Sequence, residues 1–147
     1  MAERVLSAIR EFSGEYFFLS NFDRSPLFLH GHLYVTGEHA FQAQKTLSPF
    51  KRRKIQGAST PRLAKIYGRD VELREDWDDI KDRVMTQVIH AKFPQGSALA
   101  LRLLRTGDRD LVEGNTWGDT YWGVNVATGH GKNKLGTILM SRRSQLG

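Results

Sequence analysis

The sequence predicts an α+β fold, mainly helical, forming a single domain over residues 1–147 around a small antiparallel sheet. Three observations predict it. Apolar residues recur at close to the helical period through most of the chain after Thr36, the extended apolar runs are short, and the helical stretches are punctuated by Ser or Thr caps, prolines and glycines. A chain of 147 residues fits one domain and buries a core without covalent staples. The sheet is expected from an N-terminal hairpin joined by a later short strand.

From Glu15 to Phe22 aromatic and aliphatic residues crowd together, a composition that suits a buried strand with Asn21 at its end. Leu27 to Leu29 and Leu33 to Val35 flank His30-Gly31-His32 and read as a hairpin whose glycine supplies the awkward backbone angle. A His-x-His pair can suggest a metal site, but no third ligand lies near it in sequence, so these are read as turn residues. Thr36 is a good N-cap and Glu38 suits the positive end of the helix that follows. On that helix Glu38, Gln42 and Lys45 share a stripe, and Ala40, Ala43 and Leu47 fall on the opposite side. One side is small and apolar; the other carries an acid, an amide and an amine, and faces either water or a cleft.

Ser48-Pro49 starts a second helix that Gly57 stops, with the basic run Lys51-Arg52-Arg53-Lys54 between them. Ser59-Thr60-Pro61 starts a third, through Leu63, Ala64, Ile66 and Tyr67, ended by Gly68; Arg69 then follows in position for a forked contact to phosphate or carboxylate. Asp76 to Phe93 is a long helix closed by Pro94. Lys81 lies inside its apolar arc, so the amine must snorkel out, pair with an acid or point into a ligand cavity. Trp77, in the first turn, serves either as core or as a stacking face. Ser97 to Arg105 is a leucine-rich core helix capped by Gly107, and Leu111-Val112-Glu113 is strand-like. The loop Gly114 to Asn125 mixes tryptophans, glycines and Asp119, a composition common at sites, although Asp119 also fits a turn residue bonding its own backbone. Gly129 to Gly136 leads into a last helix and can hold a phosphate on free N–H groups, but Asn133 stands where a Walker A loop requires Ser or Thr.

The net charge of +6 and pI near 9.8 favour a polyanionic partner: a phosphorylated metabolite, a nucleotide or a nucleic acid. With no cysteine, disulfides and thiolate chemistry are excluded. Met1 to Phe12 shows no leader pattern and no run reaches a membrane span, so a cytoplasmic protein without membrane association is the expectation. No spacing calls for a metal or a cofactor.

These ordered segments, Phe18-Leu19-Ser20-Asn21-Phe22, Glu38 to Lys45, Ala64 to Arg69, Trp77 with Lys81, Ala91-Lys92-Phe93, Leu111-Val112-Glu113, Asp119 to Gly123 and Asn133 to Gly136 before Leu139-Met140, resemble the signature of the NADAR superfamily, the YbiA-like proteins. The resemblance spans about Phe12 to Arg142. It implies an N-glycosidase acting on ribosylated bases. It marks Glu38, Trp77 and Asp119 as active-site residues with Lys45 on the same helix as Glu38, and Asn21, Arg69, Lys81, Trp122 and Asn133 as substrate contacts. Gly37 departs from the pattern, since related sequences often carry Ser or another side chain before the Glu.

Cleaving a ribose C1–N bond builds positive charge on the sugar and requires a carboxylate or nucleophile for C1, with a proton source for the departing nitrogen. Glu38 and Asp119 are the acids best placed by context. Lys45, about two turns or ~10 Å along the helix from Glu38, offers a Schiff-base route if its pKa is lowered; direct water attack is the other. The resemblance covers two substrates, phosphorylated ribosylamino intermediates of riboflavin synthesis and ADP-ribose on guanine in DNA, RNA or nucleotides, and the positive balance suits the second. A non-catalytic ADP-ribose or NAD binding module is the reading from a different class, and a nonspecific nucleic-acid binder a third.

Overall fold

The structure, a computed structural model, describes residues 7–147. The leader expectation for Met1 to Phe12 therefore lies partly outside the described residues. The described chain is α+β and groups into two compact units, residues 21–92 and the terminal segments up to residue 20 and from 93 to 147.

In the first of these, β1 (Leu27–Leu29) and β2 (His32–Tyr34) pair antiparallel, with Leu27 opposite Tyr34 and Leu29 opposite His32. The turn between them has positive φ at both His30 (51°) and Gly31 (82°), the type I′ geometry whose twist matches the strands. Leu27, Leu29 and Tyr34 point inward while Phe28 and Leu33 are exposed, the alternation expected of a one-sided hairpin. Four helices follow: α1 (Gly37–Ala43), α2 (Pro49–Gln56), α3 (Pro61–Asp70) and α4 (Trp77–Lys92). The first three are capped by the side chains of Thr36, Ser48 and Thr60, each accepting from a backbone N–H three residues on. Ala40, Ala43, Ile55, Ala64, Val88 and Ile89 are fully buried where α1 packs against α2, α3 and α4, and α4 also covers β1.

The other unit holds a 3-10 helix (Gly14–Leu19), α5 (Ala98–Leu104), the two-residue strands β3 (Gly114–Asn115) and β4 (Val124–Asn125), and α6 (Lys134–Gln145). Leu19, Leu103, Leu111, Leu135 and Leu139 form its core, with Phe18 set edge-on to Phe93 at 6.4 Å.

Four expectations are corrected. Glu15 to Phe22 is not a strand: Gly14, at φ 57°, bends the chain, Tyr16 and Ser20 bond back to Ser13 and Phe17 three residues earlier, and the neighbours Phe18 and Leu19 are both buried, which an alternating strand does not allow. Leu111 does not extend the hairpin's sheet but bridges Ile9 in parallel, and β3 pairs with β4 in a separate parallel ribbon. The helix carrying Glu38 ends at Ala43; Gln44 and Lys45 tighten into bonds to Phe41 and Gln42 three residues back, so Leu47 is exposed instead of joining the alanine side. Helix α3 runs through Gly68 to Asp70, because a close approach by Gln42, not a chain reversal, calls for the missing side chain there. Among the described residues no helix is long and apolar enough to cross a membrane.

Candidate active site

Glu38 sits in the first turn of α1, half-buried, with its backbone N–H bonded to the Asn21 carbonyl at 3.0 Å. Gln42, one turn further, donates Nε2–H to Glu38 Oε1 at 2.9 Å. That spacing places the amide over the acid and holds the carboxylate in one orientation. Gln42 is itself fixed from behind, because its Oε1 rests against the Cα of Gly68 on α3, where a methyl group would collide with the amide. Asn21 repeats the device: its Oδ1 occupies the space a side chain at Gly37 would need, while its Nδ2 reaches Met85 Sδ at 3.2 Å. Both carbonyl oxygens are buried without a conventional hydrogen-bond donor and lie against glycine Cα–H groups, a weak but recurrent contact. The departure at Gly37 thus has a structural reason: in this chain Asn21 fills the position.

Lys45 stands in the turn just past α1 with its Nζ 5.8 Å from the centre of the Phe41 ring, and Phe41 packs tilted against Trp77 at 5.2 Å. Trp77 is buried, so its indole is a wall of the packing around Lys45. The loop before α4 clamps the same spot: Arg74 N–H bonds the Lys45 carbonyl at 2.9 Å, and the Arg74 guanidinium forks onto Asp76 at 2.6 and 3.2 Å. Burial pushes the Lys45 amine below the ordinary lysine range; the Glu38 carboxylate opposes this, and Lys65 and Arg69 on α3 reinforce it. An acid, an amine of weakened basicity and two further cations therefore share one electrostatic neighbourhood. A lowered pKa favours the neutral amine that attack on a sugar carbonyl or iminium needs.

Lys81, anomalous in the apolar arc of α4, pairs with Asp78 at 3.2 Å, the second of the three outcomes open to it. The remaining sequence-predicted residues belong to the other unit. Asp119 Oδ1 accepts from the backbone N–H groups of Tyr121 (3.1 Å) and Trp122 (2.9 Å), and Asn115 brackets the turn with bonds to Asp119 N and O. One carboxylate oxygen is thus engaged in shaping the loop, as an Asx turn does. Trp122 stands edge-on to Tyr121 at 4.8 Å. Asn133, at φ 51°, uses both ends of its amide on backbone, accepting from Glu113 N and donating to Leu111 O.

Sequence reasoning assigned no site role to four residues that shape the site, Gln42, Gly68, Lys65 and His39. The i, i+4 spacing of Glu38 and Gln42 was a visible signal for the amide. Gly68 and Lys65 had none, since only the packing of α3 on α1 brings them near. His39 is fully buried directly beside Glu38; its Nε2–H donates to the Ala58 carbonyl at 2.9 Å, which leaves Nδ1 to accept from the Thr36 hydroxyl at 2.7 Å. Burial lowers its pKa, so the ring is a neutral structural pin that ties the start of α1 to the end of α2. A groove of about 590 Å³ lies beyond Lys45, between Thr46–Ser48 and Glu72–Asp76, and none of the sequence-predicted residues lines it.

Comparison with known proteins agrees with the resemblance. The NADAR domain model matches residues 9–147. The N-glycosidase YbiA of Escherichia coli (strain K12) is 42% identical over 136 residues, covering 91% of this chain and 84% of that protein. The riboflavin biosynthesis protein VVA0006 of Vibrio vulnificus is 37% identical over 131 residues, covering 88% of this chain but 35% of its own. The solved NMR structure of E. coli YbiA superposes with a TM-score of 0.81 at 37% identity, covering 97% of this chain and 89% of that one.

Proposed function

The chain belongs to the NADAR domain family, and from that premise we propose that it removes ADP-ribose from guanine, in nucleic acid or nucleotides, by hydrolysing the ribose C1–N bond. It is an N-glycosyl hydrolase. The observation that carries the mechanism is the setting of Lys45: an amine held over the Phe41 ring, which packs on Trp77, made less basic by burial and by Lys65 and Arg69, and within electrostatic reach of the Glu38 carboxylate.

In this reading the lone pair of the base nitrogen expels the ring oxygen, which takes a proton from water as C1 becomes an iminium; the neutral Lys45 amine adds to C1, the Glu38 carboxylate takes a proton from the resulting ammonium and passes it to the base nitrogen, and the C1–N bond to the base breaks. The product of that step is a C1=Nζ Schiff base. Water then adds to C1, the C1–Nζ bond breaks, and the sugar leaves as an aldehyde that recloses, returning the amine. Gln42 keeps Glu38 aimed, and Arg69 offers its fork to substrate phosphate. Of the other residues that the family signature marks, Asp119 is the second candidate acid, and Asn21, Trp77, Lys81, Trp122 and Asn133 are candidate substrate contacts.

The positive charge of the chain supports the more anionic substrate. A second reading, cleavage of phosphorylated riboflavin intermediates, is favoured by the name of the Vibrio relative. The two are separated by measuring kcat/KM side by side on ADP-ribosyl-guanosine monophosphate and on the ribosylaminopyrimidine phosphate. Turnover of the first well above the second is expected; the reverse order assigns the riboflavin role, and inactivity on both overturns the substrate assignment altogether. Glu38→Gln is expected to retain ADP-ribose binding and lose turnover, which a mere binding module would not have to lose.

A further inference from the structure

The positive charge of this protein is concentrated in one stretch. Between Glu38 and Asp70 stand eight of its 22 lysines and arginines and none of its 16 acids. The rest of the chain, with 14 cations against 16 acids, is net negative. The basic character noted from composition is therefore a property of the segment that runs from the reacting amine through α2 and α3, not of the protein as a whole.

The structure gives that segment a direction. Arg62, Lys65 and Arg69 recur at i, i+3 and i+7, which aligns them along one side of α3 over ~10 Å, and the row ends where Lys65 and Arg69 act on Lys45. Lys51, Arg53 and Lys54 are exposed on α2, and Lys54 reaches across to α3 with its Nζ 4.4 Å from the Tyr67 ring. Glu38 at the start of α1 and Asp70 at the far end of α3 are the acids of these three helices, and Glu72, Glu75 and Asp76 share with Lys51 the groove beyond Lys45, which leaves Arg53, Lys54 and Arg62 with no acid between them on α2 and α3. Phe50, in the first turn of α2, is 71% exposed among them. A large aromatic ring held in solvent beside exposed cations is a poor arrangement for a bare surface and a good one for a strand that offers phosphates and bases together.

We propose that the α2–α3 surface is a track for the phosphodiester backbone of a single-stranded nucleic acid, which delivers a modified nucleotide to Lys45 and makes the enzyme prefer polymer over mononucleotide substrates. The inference rests on the ADP-ribosyl-guanine reading for its catalytic consequence, but the track itself is defined by strand binding. Lys51, Arg53, Lys54 and Arg62 hold strand phosphates outside the reacting centre. Lys65 and Arg69, at its edge, serve both the strand and the amine. Phe50 stacks on a base.

The test compares the wild-type protein with a Lys51→Gln/Arg53→Gln/Lys54→Gln/Arg62→Gln variant in two assays. In the first, binding of an unmodified short single-stranded oligonucleotide is titrated across salt. Each phosphate contact contributes about 0.7 to the slope of log affinity against log salt, so four lost contacts lower the slope by about 3, or about fiftyfold in affinity between roughly 50 and 200 mM salt. In the second, kcat/KM is measured on ADP-ribosylated guanine in an oligonucleotide and in a mononucleotide. The variant is expected to lose the oligonucleotide preference and keep mononucleotide turnover; Phe50→Ala is expected to weaken strand binding with little change in slope. If oligonucleotide binding is as tight and as salt-sensitive in the variant as in the wild type, or if the wild type shows no salt-dependent binding, the track is overturned. If both proteins bind the strand as predicted and neither cleaves either substrate, the track stands and the substrate reading falls. Equal loss on both substrates assigns the four cations to the diphosphate of the ADP-ribosyl group and overturns the track.

Discussion

Gly68→Ala tests whether α3 positions Glu38, the proposed catalytic acid. By local propensity alone the substitution should help, since alanine inside a helix is favoured over glycine by about 1 kcal/mol. Packing reverses the sign. A methyl group at Gly68 would overlap Gln42 Oε1 and come within 2.8 Å of its Cδ and 3.1 Å of its Cβ, and the amide, nearly fully buried, cannot simply swing into solvent. Overpacking of this kind costs about 1–3 kcal/mol, or about 2–12 °C in Tm for a chain of this size. The displaced amide also withdraws its 2.9 Å bond from Glu38, and a hydrogen bond to a charged group is worth about 1.5–3 kcal/mol, so kcat/KM should fall roughly ten- to a hundredfold. The assay is a double-mutant cycle with Gln42→Ala, followed by thermal melting and turnover. In the Gln42→Ala background the clash is gone, and Gly68→Ala should become neutral or stabilising. A wild-type background in which Gly68→Ala raises Tm and leaves turnover intact refutes the reasoning.

Three further outcomes are expected. His39 is buried with a pKa below 6.5, so the unfolded chain takes up its proton first as pH falls; stability is full above about pH 6.5, declines below it, and levels off beneath the lowered native value, and denaturant melts of wild type against His39→Gln should show this decline only in the wild type. Because Lys65 helps lower the Lys45 pKa, Lys65→Gln should move the rising limb of the pH–activity profile to higher pH, which rate measurements across pH will show directly. Asp119→Ala removes the acceptor for two backbone N–H groups, and a loss of about 1–3 kcal/mol in chemical denaturation is expected, together with faster amide exchange at Tyr121 and Trp122.

The helices could be read from the sequence because their boundaries are local chemistry. Thr36, Ser48, Thr60 and Ser97 each cap a helix through their own side chains, and the prolines at 49 and 61 sit at first helical positions. The stretch Glu15 to Phe22 misled because strand-like composition does not reveal that Gly14 bends the chain before it. The end of α3 misled for a related reason: Gly68 serves as a helix stop in sequence terms, yet here it exists to admit Gln42. Glu38 and Lys45 can be proposed as a pair from spacing and from the family signature, but Lys65 and Gly68 come near them only through the packing of α3 on α1, which no local pattern records. The alternatives that sequence leaves open for Lys81 and Asp119 depend on partners that lie outside any local pattern: Asp78 pairs with the one, and the Tyr121 and Trp122 backbone N–H groups bond one oxygen of the other.

The most direct test of the account is reductive trapping. Wild-type protein turned over on ADP-ribosyl-guanosine monophosphate in the presence of borohydride should gain the mass of one reduced sugar adduct, mapped to Lys45 by peptide mass spectrometry, and Lys45→Ala should show neither adduct nor turnover. Turnover surviving in Lys45→Ala, with no adduct in the wild type, contradicts the amine as nucleophile and leaves water activated by a carboxylate as the chemistry.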